Sequence, residues 1–310
     1  MNISASRSEE IFFNFKEEVR EALKDGRPVV ALESTLISHG FPYPENLKIA
    51  GEMEEIIRGC GVMPATIAVI GGKIKVGLTR SELEFMATSR DILKASRRDL
   101  AVIVAKGLNG ATTVAATMIV AKRAGIKVFA TGGIGGVHRG AEKTFDISAD
   151  LQELARTPVA VVCSGAKAIL DLPLTKEYLE TMGVPIIGFG SEELPAFYCR
   201  ESGLKVDYVV NNEVEAAKII RAMQDLRLGG GMIIANPVPE EYALSMEYMN
   251  EIIEEAVRAA EKEGIKGKKL TPYLLNKIKE LTGGKSLKAN IELVKNNARV
   301  AAKIARELIK

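Results

Sequence analysis

The residue whose type and setting most suggest chemistry is a lysine just past an apolar run. Residues 159–163 read as a buried strand, Ser164-Gly165 as a turn and residues 166–170 as the start of a helix. That arrangement would set Lys167 at the positive end of a helix dipole, where stability alone would select Asp or Glu. The same field, with partial burial, would favour the neutral amine, the form that nucleophilic imine chemistry requires. An exposed turn lysine is the structural alternative.

Upstream lies the run TGGIGGVHRGAEKTFDISADLQEL, which begins at Thr131. Glycine serves where backbone takes positive φ or approaches a ligand closely. Gly132, Gly133, Gly135 and Gly136, following the apolar residues 128–130, therefore suggest a strand that ends in a site, although a plain strand-to-loop turn would also use them. A dinucleotide fingerprint is excluded, because His138 stands where its third glycine belongs and no amphipathic helix follows.

Asp146, Ser148 and Asp150 alternate through an extended-looking stretch, offering hard oxygen donors to a Mg²⁺- or Mn²⁺-like ion. The sixth-position glycine and the twelfth-position glutamate of an EF-hand are both missing. Asp150 with Glu153 also reads as a capping box opening a helix over 151–155, whereas Asp146 has no such job. Glu33 is the remaining acid–base candidate. A strand over 28–32 delivers Glu33-Ser34-Thr35 and Ser38-His39-Gly40 into a loop, where a solvated glutamate is the plain alternative.

The elements that must position these residues alternate between strands and helices. A helix is expected over 9–23, a second over 50–58, and a hairpin from 65–70 and 73–76 around Gly71-Gly72. Thr79 caps a helix to Ala87, residues 92–96 form a short extended piece carrying Lys94, and residues 101–105 read as a strand. Asn109-Gly110 then turns into Thr112, Thr113 and a helix over 114–124. A glycine turn and hydroxyl-capped helix start expose backbone N–H groups to an anion, as phosphate sites do. Strands are expected at 185–189, 207–210 and 231–235, with a helix over 213–226. Helices over 245–263, 271–281 and 286–308 follow. The pattern is α/β, with a mixed, mostly parallel sheet and a C-terminal helical segment. It reads as a single domain over 1–310, with 245–310 a helical extension packed on it. Sites in such sheets gather at the carboxyl ends of strands.

Composition narrows the function classes. The chain has 310 residues, with 42 basic against 40 acidic ones and a net charge of +2, which gives no electrostatic case for nucleic acid or a membrane surface. Cys60, Cys163 and Cys199 are odd in number and far apart, as expected of reduced thiols. No signal-peptide core or spanning helix is apparent, so a cytoplasmic location is expected.

VALESTLISHG from Val30, PATIAVIGGKIKVGL from Pro64, the glycine-rich run, SGAK at 164–167, NPVPEE and SLKANIELVKNNA together resemble the pseudouridine-5'-phosphate glycosidases, also called the indigoidine synthase A-like family. The resemblance spans nearly the whole chain. It implies a three-layer α/β/α homotrimer that, with a divalent cation, typically Mn²⁺, reversibly splits pseudouridine 5'-phosphate into uracil and ribose 5-phosphate. Through it Lys167 matches the imine-forming lysine, Glu33 the proton donor and Asp146 the metal ligand. Lys94, Val114, Thr131, His138, Ser148, Ala149 and Asp150 match substrate-contacting positions, and Asn290 faces the base. A Schiff-base aldolase acting on sugar phosphates, or a non-catalytic phosphosugar-binding or pigment-pathway protein, are the alternative readings.

Overall fold

The computed structural model describes residues 11–265, 267 and 270–310. Its strands are β1 (Phe13–Phe15), β2 (Val29–Leu32), β3 (Met63–Ile70), β4 (Lys73–Val76), β5 (Leu93–Ala95), β6 (Gly110–Thr112), β7 (Val128–Ala130), β8 (Ala160–Cys163), β9 (Ile186–Phe189), β10 (Tyr208–Val210) and β11 (Met232–Ala235). VVAL, AVVC and MIIA are buried along their whole length, as strands covered on both faces must be, and all three pair in parallel. The order is β1-β4-β3-β2-β7-β8-β11-β9-β10, with β6 and β5 branching from β3.

The long strand β3 serves two partners in succession. Its first half runs parallel to β2, while residues from Ile67 onward pair antiparallel with β4 and β6. The sheet is therefore mixed but mostly parallel, as the alternating pattern predicts. The C-terminal helix Lys285–Glu307 packs on β2, β7, β8 and the helix Glu45–Gly59, and the helix Val114–Ala124 packs on β2 and β3.

Several expectations are corrected. Residues 13–15 form β1, parallel to β4, and the helix that follows is Glu17–Lys24, so the expected helix over 9–23 is shorter; Glu9 and Glu10 lie outside the described residues. The aromatic run FNF suits a pleated surface, and its distant partner is invisible in a local pattern. Residues 101–105 belong to a helix, Arg97–Ala105, opened by a Ser96–Asp99 capping box, and only Ile103 on it is buried. An apolar run of five fits either element, and the cap decides. Asn109-Gly110 leads into strand β6 before the helix at Val114. No helix starts at Ala166. The next one is Leu172–Thr181, capped by Asp171, whose Oδ1 accepts from the Leu174 N–H at 3.0 Å.

Candidate active site

Neighbouring parallel strands bring their carboxyl ends together, and the residues just beyond β2, β7 and β8 are the ones with chemistry. In register, Leu32 opposes Ala130 and Ala130 opposes Val162, so Glu33 and Thr131 emerge side by side. The Thr131 hydroxyl donates a hydrogen bond to Glu33 Oε1. Glu33 is held in place from behind, since Ser34 Oγ accepts from the Thr112 N–H at 2.9 Å and the Thr35 hydroxyl donates to Thr112 O at 2.8 Å. A π-helical turn, Leu36–Gly40, follows directly. Such turns recur at functional sites.

Lys167 reaches the same point by another route. Its backbone N–H donates to Ile134 O at 3.1 Å and its ammonium to Gly133 O at 2.6 Å, which stitches the loop after β8 to the glycine run after β7. With no helix behind it, Lys167 owes its setting to this loop rather than to a dipole. Gly165 makes the turn possible, because it takes φ +76 and a Cβ there would overlap Pro195 O.

Burial pushes the Glu33 carboxyl above the usual range; the Lys167 charge and the Thr131 hydroxyl oppose this, Asp150 adds to it and Lys94 opposes it. A carboxyl so placed keeps its proton to higher pH, as a general acid requires. His138, half-buried, is held below the usual imidazole range by burial, against the pull of Asp146 and with Lys94 and Lys167 adding to the depression. His39 is depressed by burial and then by Lys94, and its Nε2 is buried without a hydrogen-bond partner among the described residues. Glu33 thus feels the charges of Lys167, Asp150 and Lys94, and His138 those of Asp146, Lys94 and Lys167, so Lys94 and Lys167 act on both groups.

Asp150 differs from its expected role as a cap. Ser148 Oγ caps the helix Ala149–Leu154 by accepting from the Asp150 N–H at 3.2 Å, and the exposed Ala149 begins it. The Asp150 carboxylate instead accepts the Ala115 N–H at 2.9 Å and the Gly135 N–H at 2.8 Å, joining the helix at Val114 to the glycine run. Glu153 turns to Arg97, in a two-point pair of 2.5 and 2.8 Å. Asp150 therefore occupies part of the helix start that Val114 begins, and the Val114 N–H is what remains open to an anion among the described hydrogen bonds. Gly132, Gly133, Gly135 and Gly136 do not take positive φ. At Gly135 the reason for glycine is close approach, since a Cβ would clash with Ser148 Oγ and sit 2.8 Å from Asp150 Oδ2.

Asp146 is half-buried, its carbonyl accepting from the His138 N–H at 3.0 Å. Both Asp150 oxygens are committed to backbone N–H groups and Ser148 to a cap, so the expected alternating row of donors is reduced to Asp146. Among the described residues no group of three or more His, Cys, Asp or Glu is gathered for a metal. Asp146 is a hard oxygen donor of the kind a divalent ion takes, and such an ion would draw its remaining ligands from outside the protein.

Asn290 is half-buried on the C-terminal helix, with Asn297 two turns further along the same face. Sequence reasoning missed Asn297, Asn236 and Ser164, which form a buried cluster beside Thr131. The seven-residue step from Asn290 to Asn297 was the available signal.

Comparison with known proteins shows the same sequence and fold along nearly the whole chain. The family described as indigoidine synthase A like protein matches residues 18–307. A pseudouridine-5'-phosphate glycosidase of Caldanaerobacter subterraneus subsp. tengcongensis is 70% identical over 299 residues, covering 96% of this chain and 97% of its own. One of Petrotoga mobilis is 64% identical, with 96% and 97% covered. The crystal structure of the prealnumycin C-glycosynthase AlnA in complex with ribulose 5-phosphate superimposes with a TM-score of 0.89 at 41% identity, over 96% of this chain and 97% of that one. An indigoidine synthase A-like protein of Thermotoga maritima gives 0.87 at 36%, with the same coverage. The strand-end carboxyl and lysine stand in a fold and sequence shared along nearly the full length, and the chain belongs to the indigoidine synthase A-like family.

Proposed function

We propose that this chain is a pseudouridine-5'-phosphate glycosidase acting through a lysine imine. The observation that carries the reading is the convergence of the Lys167 amine and the burial-raised Glu33 carboxyl beyond the ends of β8 and β2, the two strands that flank β7. Pseudouridine joins C1' of ribose to carbon C5 of uracil, a poorer leaving atom than nitrogen. Glu33 donates a proton to the ring oxygen as the neutral Lys167 amine bonds to C1' and the ring opens. Glu33, now ionised, takes a proton from the attached nitrogen, whose lone pair forms C1'=N⁺ while the C1'–C5 electrons pass to uracil, and the carboxyl returns that proton to C5. Water hydrolyses the imine to ribose 5-phosphate and regenerates Lys167. A paired-carboxylate glycosidase mechanism would leave the lysine without a use.

The 5'-phosphate is read onto the Val114 N–H, with Lys94 and His138 beside it, and Ser148, Ala149 and Asp150 line the same edge. Thr131 contacts the ribose end and Asn290 the base. A divalent ion, Mn²⁺ or Mg²⁺, on Asp146 would offset phosphate charge and orient that end of the substrate. Assembly as a homotrimer belongs to the same reading, and sedimentation of the pure protein tests it. No helix among the described residues is long and apolar enough to cross a membrane.

Incubation of pure protein with uracil, ribose 5-phosphate and Mn²⁺, followed by mass spectrometry, tests the activity. A C-nucleotide stable to acid is expected; its absence would leave an aldolase acting on sugar phosphates as the better account.

A further inference from the structure

Asn297 is fully buried in the interior of the C-terminal helix, where it has no capping job. An amide there costs free energy unless its polar atoms are all engaged. They are: Nδ2 donates to Thr131 O at 2.8 Å and lies 3.1 Å from Ser164 Oγ, while Oδ1 accepts from Asn236 Nδ2 at 2.8 Å. The Thr131 carbonyl can only accept, which fixes the orientation of the amide. Flanking buried positions on the helix, Leu293, Val294 and Ala301, are apolar, and apolar side chains would suffice to anchor it.

The three partners share one property. Thr131, Ser164 and Asn236 are the first residues beyond β7, β8 and β11, which lie next to one another in the sheet. One side chain thus ties three strand ends together, and the first of these carries the hydroxyl bonded to Glu33. We propose that Asn297 is a positioning residue, holding Thr131 at the end of β7 so that its hydroxyl meets the Glu33 carboxyl. The same helix register sets the depth of Asn290, roughly 10.5 Å along the axis. The inference rests on reading Glu33 as the acid–base group.

The charged groups facing Glu33 are Lys167 beyond β8, Lys94 in β5 and Asp150 on the helix Ala149–Leu154. Asn297 carries no charge, so its replacement acts on Glu33 through Thr131. The test is an infrared titration of protein labelled with ¹³C-carboxyl glutamate, the Glu33 band being assigned with Glu33→Gln. In Asn297→Ala the Glu33 midpoint should move upward by about one pH unit, because the ionised form loses its hydroxyl donor. Turnover should fall about 10-fold or more while KM changes little.

A folded Asn297→Ala that melts lower but keeps the Glu33 midpoint would show a helix anchor only and overturn the proposal. Should that variant fail to fold, Asn236→Ala, which releases the amide oxygen, must move the midpoint the same way by a smaller amount; an unmoved midpoint there overturns it equally. If the parent protein makes no C-nucleotide yet the midpoint moves, the glycosidase reading fails and the positioning role stands.

Discussion

Lys167 Nζ donates to the carbonyl oxygen of Gly133 at 2.6 Å, so the proposed nucleophile is parked on the backbone of the glycine run after β7. Attack on C1' requires the amine to leave that carbonyl and to be neutral. Borohydride reduction in the presence of ribose 5-phosphate should trap the sugar phosphate on Lys167, with peptide mapping as the readout. Lys167→Ala should lose turnover by about 10³-fold or more. An adduct on Lys94 instead would reassign the nucleophile.

Glu33→Gln should lower turnover by about 10²-fold or more with a small change in KM. Its stability should move the other way. Because burial raises the carboxyl in the folded protein, the folded state keeps a proton that the unfolded chain releases near pH 4.3, on the order of the reference value. Stability contributed by that proton is complete below the unfolded value and is lost as pH rises through the raised folded one. The glutamine variant escapes this loss. Its melting temperature should exceed the parent's at neutral pH and match it in mild acid; equal melting curves at both would contradict the burial of an ionised Glu33.

Phosphate recognition predicts that unphosphorylated pseudouridine is a poor substrate, and that Lys94→Ala raises KM roughly 10- to 100-fold, the loss of one charge-assisted contact. Steady-state kinetics on nucleoside and nucleotide measure both. Equal kcat/KM for the two substrates would remove the phosphate from this edge of the site.

Chelation should abolish turnover and Mn²⁺ restore it, and Asp146→Ala should abolish the metal response without changing the melting curve. Full activity in protein verified to be metal-free would reject the ion.

Gly135→Ala should cost stability by about 1–3 kcal/mol and reduce kcat/KM together, since the new methyl group displaces Ser148 and Asp150 and frees the Ala115 and Gly135 N–H groups. Thermal melting and kinetics on one preparation check the pairing. A variant with unchanged melting and kinetics would mean that Asp150 does not brace the phosphate end.

Strands such as β2, β8 and β11 were legible because continuous apolar runs bounded by glycine and polar residues suit a doubly covered sheet. The same reasoning put Glu33, Thr131 and Lys167 at strand ends, where they are. It failed at Arg97–Ala105, where five apolar residues read as a strand and the Ser96–Asp99 capping box went unnoticed, and at Phe13–Phe15, whose partner strand begins far along the chain, with Phe13 opposite Ile74. The setting of Lys167 was misjudged because a loop zipped to another loop leaves no periodic trace. Asn297 escaped notice for a related reason: an asparagine within a helical pattern reads as solvent-facing, and only the fold reveals three strand ends beneath it.

The tie between Asn236 and Asn297 spans 61 residues, so during synthesis at roughly 5–20 residues per second the strand ends wait on the order of 3 to 12 s for their clasp to be made. Until the C-terminal helix arrives, Thr131 has no amide on its carbonyl and the nascent site has no Asn290.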